Sequence, residues 1–329
     1  MIVTVTPNPS LDRTIELDAE LRRGAVQRAV GAQQEAGGKG VNVSRALVAS
    51  EVDTLALLPG SDQDAVIVAL RGSGIPHQTL PLDAPLRSNV TVTEPDGTTT
   101  KINEPGPTFS AAERDGLLQL CVDKARGASW LVLAGSLPPG IEPDFYATVI
   151  RAVRQAWGAD APRIAVDSSG IPLREAVTAG PDLLKPNAEE LAELTGSSAD
   201  LEADPALAAQ TARGLIDDGV GAALVTLGAH GALLVTGEGS WLAQGPPIIA
   251  RSTVGAGDSA LAGYLYAHTQ GEVPLDCLAQ AVAHGAAATQ LPGSTVPTLE
   301  QTAPQSITVT PLPSTPLATA ATDSLKELS

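Results

Sequence analysis

Positive charge is scarce in this chain. Lys and Arg total 20 against 37 Asp and Glu, which leaves a formal net charge of −17 over 329 residues. A nucleic-acid or anionic-membrane binder needs a basic face, so neither partner is expected. Cysteine is scarcer still. Cys121 and Cys277 are too few for a disulfide framework or a cysteine metal cluster, and they fit a reduced, cytoplasmic setting. No apolar run approaches the ~20 residues of a membrane span. The opening MIVTVTPNPSLD has no basic n-region, long apolar h-region or small-residue cleavage site, so no secretory leader is expected. Lysine is sparing too: Lys39, Lys101, Lys124, Lys185 and Lys326 stand beside 15 Arg, and three of the five lie in the motifs below. What the chain does have is apolar content, 43%, enough for a large core and against global disorder. Its length favours one large α/β domain or two unequal ones.

Strand and helix patterns alternate along most of the chain. Ile2–Val5, Leu55–Leu58, Trp130–Leu133, Ile164–Val166, Leu183–Leu184 and Leu224–Thr226 are short apolar runs that read as buried strands. Between them lie helical patterns after Gly40, over 62–70, after Ser110, and over 143–157, 187–195, 205–218, 256–268 and about 275–290. Such alternation predicts a doubly wound α/β fold, a mostly parallel sheet with helices on both faces. One stretch departs from it. SNVTVT (88–93) and TTTKI (98–102) flank Glu94-Pro95-Asp96-Gly97 and read as a polar β-hairpin. Residues 12–35 have a similar polar, strand-compatible composition. Together the two predict a small accessory sheet; an ordinary surface hairpin is the alternative. The last 29 residues are rich in Ser, Thr, Pro and Ala. ITVT (307–310) reads as a closing strand, and a mobile tail is expected beyond Pro316.

Four segments carry chemistry. In STVGAGDSALAG (252–263), Gly255, Ala256 and Gly257 open a helix with bare backbone amides, which can hold phosphate oxygens. Asp258 in the first turn would repel a phosphate if binding were the whole task. It makes sense as a general base that takes a hydroxyl proton while the amides hold the transferring phosphoryl group. A lone GxGD is a weak signal, since a capped helix gives the same pattern. In AGGKGVN, Gly37, Gly38 and Gly40 permit close approach of a ligand to the backbone. Lys39 adds a cation there, and Asn42 on the first helical turn offers a donor and an acceptor. In LLKPNAEEL (183–191), Lys185 and Asn187 fall just past a strand, at the carboxyl edge where open α/β sheets bind ligands. Asn187 and Glu190 share a helix face at i, i+3, and the same spacing makes a capping box. In VTLGAHG (225–231), Thr226 ends a strand, and Gly228 and Gly231 allow a tight turn.

These blocks, with GSLPPG (135–140) and VDSSG (166–170), occur in the order found in the ribokinase-like sugar kinases of the phosphofructokinase B family, which the chain resembles over roughly residues 1–297. Six ordered blocks are far more specific than any one glycine motif. TPNPSLD, the lysine in GGKG and KPNAEEL most resemble family members that act on phosphorylated ketohexoses. The resemblance implies a kinase domain over 1–300, with a lid formed by about 12–35 and 87–103, and a closing strand and tail over 301–329. It implies an ATP-dependent reaction with Mg2+, most directly D-fructose 1-phosphate to D-fructose 1,6-bisphosphate. Tagatose 6-phosphate and fructose 6-phosphate are the alternative acceptors, and a catalytically inactive sugar-phosphate sensor is the alternative from another class. It implies a homodimer paired through the lid. By resemblance Asp12 hydrogen-bonds sugar hydroxyls, Arg87 stands where a residue contacts the substrate phosphate, and Arg28 aligns with a lid residue; a guanidinium can clamp a phosphate bidentately. Lys101 and Asn103, on the hairpin's return strand, are candidates to face the same site. For Arg28 and Lys101 a solvated surface charge explains the residue equally well. Lys185, Asn187, Thr226, Gly228, Gly231 and Gly257 are the implied ATP side, Glu190 and Asp167 the metal side, and His284 with Gly285 a loose match near adenine.

Overall fold

The computed structural model describes residues 1–313; the end of the tail, including everything beyond Pro316, lies outside the described residues. The chain opens with β1 (Ile2–Val5), β2 (Ser10–Glu16), β3 (Gly31–Gly37), α1 (Lys39–Ala49), β4 (Thr54–Pro59), α2 (Ala65–Gly72) and β5 (His77–Leu80). The polar hairpin follows as β6 (Arg87–Thr93) and β7 (Thr99–Asn103). Next come α3 (Ala111–Ala125), β8 (Trp130–Ala134), α4 (Phe145–Trp157), β9 (Arg163–Asp167), α5 (Gly170–Val177), β10 (Leu183–Leu184), α6 (Ala188–Thr195) and α7 (Pro205–Asp217). The last elements are β11 (Ala222–Thr226), β12 (Ala232–Thr236), β13 (Gly239–Gln244), α8 (Ala256–Thr269), α9 (Pro274–Thr289) and β14 (Thr308–Pro311).

Ten strands form one sheet in the order β14-β13-β12-β11-β10-β9-β8-β1-β4-β5. From β5 to β11 neighbours run parallel, and β12, β13 and β14 extend the edge antiparallel. Alternate side chains of the same strands enter two cores. Val3, Leu131, Val166 and Val225 pack with α3 to α7. Ile2, Val132, Ala165 and Leu224 pack with α1, α8 and α9. Burial on both faces is why these strands read as continuous apolar runs. Local signals set several boundaries. Ser110 and Glu113 close a capping box at α3, and Pro205 and Pro274 sit in the first turns of α7 and α9.

Four polar strands make a separate sheet in the order β3-β2-β6-β7. Its register decides which residues share a face. Glu35, Asp12, Asn89 and Asn103 align in one row, with Thr14, Thr91 and Lys101 in the next. The opposite face carries Ala36, Leu11, Ile15, Val90, Val92 and Ile102, and its base packs on α2 through Ala36 and Leu11. Residues 17–30, read as strand-compatible, instead form an irregular connection between β2 and β3.

Candidate active site

The chemistry-bearing segments meet at the carboxyl ends of the parallel strands. Asp167 ends β9, Lys185 follows β10, and Thr226 ends β11. Three helices begin at the same edge: α1 at Lys39, α6 just after Asn187, and α8 just after Gly255. Short strands feeding glycine-rich turns bring residues far apart in sequence within bonding distance.

Asp167 is completely buried and lies between two lysines. Its Oδ1 is 2.7 Å from Lys39 Nζ and its Oδ2 is 3.0 Å from Lys185 Nζ. Burial would raise its pKa, but the charges of Lys185 and then Lys39 outweigh that and hold it below the ordinary carboxylate value. Lys39 also reaches Glu190 Oε1 at 3.1 Å. Burial would lower the Lys39 pKa, yet Asp167 and Glu190 together raise it, so this ammonium stays charged. The cation expected at the glycine bend is present, but it is paired. Lys39 already bridges two carboxylates, and one of its three N–H donors is left over.

Asn42 departs from its expected role in a similar way. Its Nδ2 donates to Asp258 Oδ2 at 2.8 Å, so it orients the carboxylate. Asp258 is buried. Burial first, and then the negative charge of Asp167, push its pKa up to about 6, against the Asn42 hydrogen bond and the two lysines. A carboxylate poised near neutrality suits a general base. Beside it, Gly255 adopts φ 75° as the N-cap of α8, a conformation that favours glycine. Among the described residues no acceptor engages the amides of Gly255, Gly257 and Asp258. A side chain at Gly257 would stand 3.3 Å from Lys185 Nζ, so these amides and that ammonium adjoin.

Asn187 and Glu190 form the capping box of α6, with Glu190 N to Asn187 Oδ1 at 2.7 Å and Asn187 N to Glu190 Oε2 at 2.9 Å. The cap does not exclude a second role, because Glu190 Oε1 faces Lys39. Asn187 bridges Thr226 across the strand ends, and Gly228 and Gly231 bracket the short turn between β11 and β12. Among the described residues no group of three His, Cys, Asp or Glu could hold a metal unaided. Asp167 and Glu190 are two adjacent carboxylates, which fits Mg2+, an ion that keeps most of its water and takes phosphate oxygens.

Asp12 lies in β2, on the polar face of the small sheet. Its Oδ1 accepts from Ser10 Oγ at 2.7 Å and Asn89 Nδ2 at 3.0 Å. Its carboxylate covers Gly37, where any side chain would collide with Oδ2 at 2.1 Å. Asn89 was missed from sequence; alternation within SNVTVT, placed in register with Asp12, is the signal that finds it. Its Oδ1 is buried without a partner among the described residues. Arg87, expected on phosphate, donates to the carbonyls of Asn8 at 2.9 Å and Glu104 at 3.1 Å, and its Nε is buried without a partner among the described residues. Lys101 and Asn103 are exposed on β7, on the Asp12 face. Arg28 is exposed in the 17–30 connection and makes no ion pair among the described residues, so the structure does not bring it to the cluster. His284 is also corrected. It is fully buried in α9 against Ser50 Oγ, 3.1 Å away, and the Gln280 carbonyl, and it faces no cleft. Gly285 packs on the Ala256 carbonyl, behind the α8 amides.

The buried Asp258 beside the α8 amides, flanked by lysine-carboxylate pairs, lies at the carboxyl edge of a doubly wound sheet of the ribokinase-like kind. The chain belongs to the pfkB family of carbohydrate kinases, whose model matches residues 6–301. It is 37% identical to a 1-phosphofructokinase of Haloferax volcanii over 91% of this chain and 94% of that one. It is 34% identical to an ATP-dependent 6-phosphofructokinase isozyme 2 of Mycobacterium tuberculosis, over 89% and 85%. Among solved structures, phosphofructokinase-2 of Escherichia coli in complex with potassium superposes with a TM-score of 0.83 at 27% identity, over 91% of this chain and 96% of that one.

Proposed function

We propose that the protein transfers the γ-phosphoryl group of ATP to D-fructose 1-phosphate, giving D-fructose 1,6-bisphosphate and ADP. The observation that carries this reading is the 2.8 Å bond that aims Asp258 from Asn42, beside the free amides of α8. Asp258 takes the proton of the 6-hydroxyl as that oxygen bonds to the γ-phosphorus and the bond to the ADP oxygen breaks. The Gly255 and Gly257 amides hold the phosphoryl oxygens as charge spreads over them; the Ala256 amide, expected beside them, is instead directed to the Thr253 carbonyl at 3.4 Å. Lys185 and the remaining donor of Lys39 offset the negative charge between base and nucleotide, and Thr226 and Asn187 border the nucleotide side. Bound Mg2+ would neutralise ATP phosphate charge, with Glu190 and Asp167 as the carboxylates to face it. Asp12, Asn89 and Arg87 hold the sugar and its phosphate, and the small sheet serves as a lid that keeps out water. The similarity to the Haloferax 1-phosphofructokinase supports the 1-phosphate acceptor. The similarity to the Mycobacterium enzyme favours fructose 6-phosphate as the second reading.

The small sheet's apolar face, with Ile102 60% exposed, suits a homodimer. No helix among the described residues is long and apolar enough to cross a membrane. We place the enzyme in the cytoplasm. A coupled ADP-release assay on fructose 1-phosphate, fructose 6-phosphate, tagatose 6-phosphate and fructose tests the acceptor. The highest kcat/KM is expected on fructose 1-phosphate; turnover on fructose 6-phosphate alone overturns that choice.

A further inference from the structure

Arg45 has no part in the chemistry above, yet its guanidinium makes three hydrogen bonds to two segments distant from its own helix. It lies on α1 three residues after Asn42, and its side chain is 17% exposed. Its guanidinium reaches two distant segments. Nη1 lies 3.3 Å from Glu35 Oε2 and 3.4 Å from the Ser294 carbonyl, and Nη2 donates to the Ala36 carbonyl. Ser294 Oγ closes the ring by donating to the same Glu35 oxygen. A planar fork can serve three acceptors at once; a lysine ammonium in its place could not match that geometry.

Each partner leads to a different part of the site. Glu35 is the register partner of Asp12, and Gly37 on the same strand lies under the Asp12 carboxylate, so β3 cannot shift without moving Asp12. β3 is an edge strand, and Arg45 caps its outward carbonyl at Ala36. Ser294 follows α9, whose Thr289 carbonyl accepts the amides of Arg251 at 2.7 Å and Ser252 at 3.1 Å. That segment runs directly into Gly255. Arg45 thus joins the small sheet on one side to the anion-hole loop on the other, from the helix that also orients Asp258.

We propose that Arg45, Glu35 and Ser294 form a latch that sets the sugar-holding sheet relative to the phosphoryl-transfer loop, with Arg45 as its positioning residue. The latch rests on the kinase reading for its catalytic consequence, but its mechanical consequence is measurable without turnover. Amide hydrogen exchange on the full-length protein is compared between wild type, Glu35→Gln and Ser294→Ala. Both variants should speed exchange in β3 and also in residues 251–257, although Glu35 makes no contact there. In the coupled assay each should raise the KM for the sugar phosphate roughly tenfold. Each should also raise ATP hydrolysis without sugar relative to transfer, and the effects of the two should be less than additive in the double variant. Ser294→Thr, which keeps the hydroxyl, should stay within about twofold of wild type. Faster exchange confined to β3, with KM and the hydrolysis ratio unchanged, would overturn the latch and leave a merely stabilising contact. Wild-type protein inactive on every sugar phosphate would overturn the proposed function instead, and the exchange data would still decide the latch.

Discussion

On the floor of the site, Asp167 is fully buried between two lysines and Asp258 is held by Asn42; in the small sheet, Lys101 and Asn103 stand exposed and Arg87 is bound to backbone carbonyls. The floor satisfies its charges internally, and it does so across 128 residues for Lys39–Asp167 and 216 for Asn42–Asp258. Among the described residues, Asn89 Oδ1 and Arg87 Nε in the sheet are buried without a hydrogen bond or an ion pair, whereas Asp167 Oδ2 on the floor, also without a hydrogen bond, stands 3.0 Å from Lys185 Nζ. Floor residues are therefore coupled to stability as well as rate, whereas sheet residues should act mainly through substrate affinity. Glycine phosphate loops need rigidity because their amides must be aimed before reaction. A sheet that admits and holds a sugar can leave contacts for the ligand to complete.

Substitutions can break this contrast, beginning with the largest expected effect. Asp258→Asn should lower kcat by ~10²–10⁴ while sugar binding measured by calorimetry survives. In wild type, kcat/KM should rise with pH through about 6, as Asp258 ionises, and an active variant lacking that limb would reject the assigned base. Lys185→Met leaves Asp167 with Lys39 as its one remaining cation, and chemical denaturation should show a loss of stability, smaller than the ~3–5 kcal/mol of a buried charge left with none. His284 gives a floor-side effect on stability alone. Burial lowers its pKa from 6.5 to about 4, so the folded protein binds that proton less readily than the unfolded chain. Stability should fall as pH drops from 6.5 towards 4, by about 3 kcal/mol in all, and a His284→Gln variant should lose that slope in denaturant midpoints. In the sheet, Arg87→Ala should raise the sugar-phosphate KM roughly tenfold with a smaller change in kcat, seen in steady-state kinetics. Lys101→Ala should change KM by less than about threefold, because it starts as a solvated charge. A larger Lys101 effect would mean that the ligand recruits β7.

Much of the floor was legible in the sequence. Glycine turns, strand ends and a first-turn Asp are local patterns with local causes, so STVGAGD, GGKG and KPNAEEL could be placed at one sheet edge before any coordinates. Their partners were harder to read. That Lys39 would bridge Asp167 and Glu190, or that Asn42 would face a carboxylate and not a hydroxyl, depends on the crossover of strands between them. Short β5 and α5 went unread because neither carries a strong periodic pattern. In the small sheet, composition gave the hairpin, but register decided that Asn89 joins Asp12 and that Arg28 stays outside. Glu35 and Ser294 lie outside every motif, and Arg45, though inside the AGGKGVNVSRAL run, has no role legible from it; contact across about 250 residues is what pairs them.

The 216-residue separation of Asn42 from Asp258 also has a timing consequence. At ~5–20 residues per second on the ribosome, the base emerges roughly 10–40 s after the helix that will aim it. A nascent or prematurely terminated chain can contain Asp12, Gly37 and Lys39 and still lack both the proton acceptor and the amides for the γ-phosphate. On the proposed function such a product lacks the groups that carry out the transfer, so activity would mark a chain translated at least through α8.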